Sequence, residues 1–70
     1  MIIKGKEVNL NQITKVTEWD KEVKGFAGCV DYTLDGAWYI NPVTKAQINE
    51  LKAAGFAAEK IQALKYSGTY

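Results

Sequence analysis

The side chains that could do chemistry in this chain fall within one stretch of the sequence: Glu18, Asp20, Cys29, Asp31 and Asp35. Cys29 is the only thiol, so no internal disulfide can form. A reactive thiolate needs a neighbouring base or a positive pocket, and a chain with no histidine cannot build a Cys–His dyad. Cys29 is therefore expected to act as a small buried hydrophobe. Asp31 and Asp35 share strand parity, and Glu18 lies near Asp20; paired carboxylates of this kind serve general acid and base catalysis, but such spacings are common by chance. Zinc would lack its usual Cys and His ligands, and the segment from Asp31 to Gly36 lacks the ligand count and spacing of a calcium loop. Gly25-Phe26-Ala27-Gly28 has no Lys-Ser/Thr ending and so cannot be a phosphate loop. The sequence thus predicts a protein that is not an enzyme and that holds neither cofactor nor metal.

The charge balance narrows the partners. Net charge is +1, from nine lysines against eight carboxylates, with no arginine. Arginine is the usual bidentate ligand of phosphates and guanine edges, so its absence speaks against sequence-specific reading of nucleic acid. Residues 1–42 carry five lysines and six carboxylates, whereas residues 43–70 carry four lysines and two carboxylates. The second part is mildly basic. No apolar run approaches the ~18 residues of a membrane span, and no apolar core follows a basic start as in a secretory signal. A complete short reading frame, a cytoplasmic setting and no membrane partner are the expectations.

The elements that would position these residues are best specified around Val43 to Phe56. Thr44 and Gln47 have the spacing of a capping box, and Val43 with Ile48 that of a hydrophobic staple. Gly55 can close a Schellman motif that brings Phe56 onto Leu51. Ahead of this helix, residues 1–10 read as a hairpin turning at Lys4-Gly5-Lys6, and Gln12 to Trp19 favours a strand over a helix because it is rich in β-branched residues. Asp20 to Lys24 reads as a charged connection. Phe26, Val30, Tyr32 and Leu34 alternate with Ala27, Cys29, Asp31 and Thr33, then Asp35-Gly36 marks a two-residue hairpin loop into Ala37 to Ile40. Asn41-Pro42 should end that strand. Ala57, Ile61 and Leu64 form a helical stripe, with Gly68 as a stop.

The expected fold is α+β and a single domain over 1–70. A small antiparallel sheet of three to four strands (1–41) packs against a C-terminal αα-hairpin (43–67), followed by a tail (68–70). The expected core is Ile13 or Val16, Phe26, Val30, Leu34, Trp38 or Tyr39, Ile40, Ile48, Leu51, Phe56, Ile61 and Leu64.

Lys24 to Tyr32, KGFAGCVDY, resembles the RNP1 strand motif of RNA-recognition-motif domains over nine residues. The resemblance implies base stacking by Phe26 and a phosphate contact by Lys24. The chain departs from that pattern: Gly28 is an extra residue, Cys29 replaces the second stacking aromatic, and only 23 residues precede the motif. An inserted residue swaps the faces of everything after it, and with the pattern broken Phe26 is assigned to the core.

Three functions fit these residues. The first is a small binding or regulatory protein that docks on a larger macromolecule, such as a bacterial or phage accessory protein or inhibitor. Its anchors would be exposed aromatics from Trp19, Trp38 and Tyr39, the residue types that dominate protein interfaces. The second is a nucleic-acid binder that uses the helix pair as a helix-turn-helix, through Lys45, Lys52, Lys60, Gln62 and Lys65. The third is a structural component that forms a homodimer through an uncovered sheet face.

Overall fold

The computed structural model describes residues 1–63 of the chain. In chain order its elements are β1 (Ile2–Ile3), β2 (Lys6–Glu7), a 3-10 turn (Leu10–Gln12), β3 (Ile13–Val23), β4 (Phe26–Leu34), β5 (Ala37–Val43), α1 (Lys45–Ala53) and β6 (Ala58–Ile61). The three hairpins share one solution. Lys4-Gly5, Lys24-Gly25 and Asp35-Gly36 all hold both residues at positive φ, as the type I′ loop requires to match the twist of its strands. β1 and β2 form a small ribbon; the other four strands form one sheet in the order β5-β4-β3-β6.

The sheet is mixed. β3, β4 and β5 are successive antiparallel neighbours, while β6 lies parallel to β3 and pairs Val16 with Ala58 and Trp19 with Ile61. β5 and β6 therefore run in the same direction on opposite edges, and α1 is the crossover between them.

This corrects the expected αα-hairpin: α1 is the one α-helix among the described residues, and Ala58–Ile61 is a strand. The physical reason is non-local. β3 is long, and its outer side presents a row of backbone donors and acceptors that need partners. The chain leaving α1 reaches that row within a few residues, and the ladder it forms there overrides a weak helical stripe of Ala57 and Ile61. Leu64, Lys65, Gly68 and the predicted tail lie outside the described residues.

Helix α1 forms as its sequence dictates. The Thr44 hydroxyl accepts the Gln47 N–H at 3.3 Å, and the Gln47 side chain accepts the Thr44 N–H at 2.9 Å. At the other end the Phe56 N–H reaches the Leu51 carbonyl and the Gly55 N–H that of Lys52, both at 3.0 Å, which completes the Schellman motif. Nine residues are fewer than the ~12–15 that an isolated helix needs in water, so burial must hold it. Ile48 and Leu51 supply this burial against Val16, Val30, Tyr32 and Val43, and Ile3 and Val8 of the N-terminal ribbon close the same cluster. Gln47 ties the ribbon down by donating to the Ile2 carbonyl at 2.6 Å.

Two expectations about the strands change. β5 continues through Pro42 to Val43. The two-residue loop makes Leu34 and Ala37 a hydrogen-bonded pair, so the pairing alternates and Pro42, opposite Cys29, falls where a backbone N–H would point away from β4. An edge strand tolerates proline there. The connection Asp20 to Lys24 is shorter than expected, because β3 runs on to Val23 through a register shift between Glu18 and Val23. That bulge also exchanges the faces of its neighbours: Ala27 joins the main core, while Phe26 packs with a second cluster of Trp19, Cys29 and Ala63 on the opposite face. Ile40, expected in the core, is 37% exposed.

Gly28 sits beneath Ile48. A Cβ built there would lie 2.1 Å from the Thr17 carbonyl oxygen and 3.0 Å from Ile48 Cδ1. The first contact is with backbone and has no easy relief. Gly28→Ala is expected to lower stability by about 3 kcal/mol or more, against about 1 kcal/mol for Thr44→Ala, which removes only the helix cap. Urea denaturation of both variants provides the check, and equal midpoints would show that the helix does not rest on this glycine.

Candidate functional site

Two regions of the molecule bring functional groups together, and they differ in what they leave available. The first is a cleft of about 250 Å³ lined by Glu18, Asp20, Glu22, Lys45 and Lys60, among others. Glu18 is buried at its inner wall, where it meets Lys45 Nζ at 2.7 Å and Lys52 Nζ at 2.6 Å. Hydrogen bonds from Lys45 and then Lys52 outweigh the effect of burial and lower its pKa to about 2. A carboxylate clamped in its charged form is a poor proton donor or acceptor near neutrality. Its work is mechanical, since it ties both ends of α1 to β3.

Asp20 is also engaged, accepting the Ala63 N–H at 3.0 Å. Asp35 lies in a hairpin turn at φ 53°. Of the acidic pairs singled out by spacing, Glu18 and Asp20 line the same cleft but are each held by a separate partner, and no group of three or more Cys, Asp or Glu residues suited to a metal ion occurs among the described residues.

The second region is the outer edge of β5. By the same alternation that places Pro42, the N–H and C=O groups of Trp38 and Ile40 point away from β4. No other backbone group among the described residues bonds to them. Their side chains project together from one face of the sheet, Trp38 at 61% exposure and Ile40 at 37%. Beside them, Asp31 pairs across the ladder with Ile40 on one side and Lys15 on the other. Burial raises the Asp31 carboxyl above its usual range, with Lys15 opposing. Lys15 also meets Glu59 at 3.6 Å, which extends the row as a polar border.

Tyr39 points to the opposite face. Its ring stacks on buried Tyr32 with centroids 5.4 Å apart, and Lys6 Nζ lies 3.6 Å from its centroid. The Tyr32 hydroxyl donates to Asn41 Oδ1, one more contact that holds β5 in place. The edge is thus a well-packed strand that offers two apolar side chains and, among the described residues, open backbone groups.

Of the three predicted anchors, then, Trp38 is presented to solvent, Tyr39 is half-buried and packed, and Trp19 is buried at 5% exposure. Trp19 was placed beside a charged turn, but β3 carries on past it and the residue faces the second cluster. Cys29 is buried in the same cluster. Phe26 packs there too, and Lys24-Gly25 ahead of it is a hairpin turn, so the RNP1-like segment is no open stacking platform.

Of the nucleic-acid candidates, Lys45 and Lys60 line the cleft and Lys52 reaches Glu18 at its wall. Lys45 and Lys52 are ion-paired to Glu18, Lys60 lies on β6, Gln62 follows that strand, and Lys65 is outside the described residues. Without the helix pair the helix-turn-helix has no basis. Sequence reasoning missed Ile40 as a surface residue and Glu18 as the helix clamp. The signal for the first was present, since Pro42 within a strand marks an edge.

Among the described residues no helix is long and apolar enough to cross a membrane. Comparison with protein-family models, curated proteins and solved structures found no match to this chain.

The two perturbed carboxyls should respond to pH with opposite signs. Glu18, lowered from 4.5 to about 2, contributes stability that is complete above 4.5 and is lost as pH falls toward 2. Glu18→Gln should therefore be less stable than the native chain at pH 7, with the gap closing in acid. Asp31, whose carboxyl is raised, weakens the fold once ionised, so Asp31→Asn should be the more stable at pH 7, and that gap should also close in acid. Urea midpoints measured from pH 2 to pH 7 would test both signs.

Proposed function

We propose that this protein acts by binding a polypeptide segment in extended conformation along the edge of β5, where it adds a strand to the sheet. The observation that carries this reading is the combination on one short strand of outward backbone groups at Trp38 and Ile40 with the exposure of both side chains. In strand addition, main-chain hydrogen bonds supply affinity while alternate side chains enter pockets or patches that supply specificity. Trp38 is the principal anchor, because large aromatic side chains dominate binding energy at such surfaces. Tyr39 contributes from the other face by holding β5 in place through its stack on Tyr32. No reaction is part of this reading: Glu18 is locked in its ion pairs and the chain has no histidine.

A partner strand would bring its own alternating apolar residues to the Trp38–Ile40 face, bordered by Asp31 and Lys15. Random peptides presented to the immobilised protein should enrich for short alternating apolar sequences. Trp38→Ala should weaken their binding by about tenfold or more. Ile40→Pro removes an N–H that the β4–β5 ladder does not use, and it should abolish binding while leaving the fold's circular dichroism unchanged. Peptides held equally well by both variants would overturn the assignment of this edge.

A further inference from the structure

We infer that the edge of β5 also accepts a second copy of this chain, pairing antiparallel with the partner's β5 in a register centred on Tyr39. This rests on reading β5 as an open edge and names one occupant for it. The two edges of the sheet are protected very differently. β6 is four residues long and carries Glu59 and Lys60, whereas the seven residues of β5, AWYINPV, include no charged side chain. Monomeric proteins commonly guard an edge with lysine, with inward charges or with bulges, and β5 has only Pro42 at its far end.

The strand is also complementary to itself. An antiparallel pairing centred on Tyr39 sets Trp38 opposite Ile40 of the second copy and Ile40 opposite its Trp38, on the same face. The alternation aims the backbone groups of these residues at one another, giving about four inter-chain hydrogen bonds. Pro42 then falls opposite Gly36 at the margin of the ladder, where its missing N–H removes little. The apolar pairs would cover Trp38 and Ile40, the largest exposed side chains on this strand. A net charge of +1 per chain leaves little repulsion between copies. A contact of this length falls short of the ~800 Å² per partner that stable dimers bury, so the association is weak and concentration-dependent.

Sedimentation equilibrium of the full chain over about 10 μM to 1 mM, the range that brackets weak affinities, measures this directly. The weight-average mass should rise toward that of a dimer, and Ile40→Lys, placed on the exposed face opposite Asp31, should weaken association by at least about tenfold. Hydrogen exchange of the unmodified chain supplies a second readout that needs no variant, since the amides of Trp38 and Ile40 should exchange more slowly as concentration rises. A monomer throughout, a dimer equally strong in Ile40→Lys, or amide exchange at Trp38 and Ile40 that ignores concentration would each overturn self-pairing. Peptide binding to a chain that stays monomeric would reject the second copy and retain the edge. A dimer that takes up no peptide would retain self-pairing at this edge and reject peptide binding as its function.

Discussion

The helix rests on the sheet at a point where the sheet has no side chain, and much of the rest follows from that contact. Gly28 leaves room for Ile48 to descend onto β4, while the Thr17 carbonyl lies so close that even a methyl group would meet backbone. A nine-residue helix has little stability of its own and exists because Ile48 and Leu51 are buried. Once it is seated, Lys45 at its start and Lys52 near its end reach the single carboxylate of Glu18. Burial supplies the attraction, and the ion pairs fix where the helix lies along the strand. Both lysines remain partly exposed, so their charges are shared with solvent and their main contribution is to orientation rather than to depth of stability.

The position of the helix decides the fate of the two sheet edges. α1 carries the chain from β5 across to the far side of β3, and the Schellman turn at Gly55 and Phe56 releases it beside an uncovered ladder. β6 fills that ladder in parallel and spans both faces, with Ala58 on the main core and Ile61 on the second cluster. Among the described residues the opposite edge receives no such strand. Because the same crossover that completes one edge leaves the other open, the open strand is a direct product of the topology. The strand along that edge carries no charged side chain.

The aromatic residues divide along the same lines. Trp19, Phe26 and Cys29 form a second cluster on the face away from the helix, and Tyr32 and Tyr39 stack on the face beneath it. Among the described residues that leaves Trp38 as the large aromatic turned outward from the sheet. Three acidic residues serve the structure: Glu18 holds the helix, Asp20 holds the chain after β6, and Asp35 sits in a turn.

What the sequence determined by itself was local. The capping box at Thr44, the Schellman end at Gly55, the Asp35-Gly36 hairpin and the β-branched run that became β3 all depend on interactions within a few residues, and each formed as its residue types require. Of the candidate edge, Trp38 was legible as an exposed aromatic, and Pro42 in a strand-like run carried the information that β5 lies outermost. Tertiary structure decided what depends on distant partners. Ala58 to Ile61 became a strand because β3 offered unfilled backbone groups 42 residues away in the chain. Trp19 was buried and Ile40 exposed because a bulge and an edge position, neither of them visible in alternation alone, set their surroundings. Local propensity is a matter of tenths of a kcal/mol per residue, whereas an unfilled ladder or a buried aromatic side chain counts in whole kcal/mol, so where the two conflicted the long-range demand prevailed.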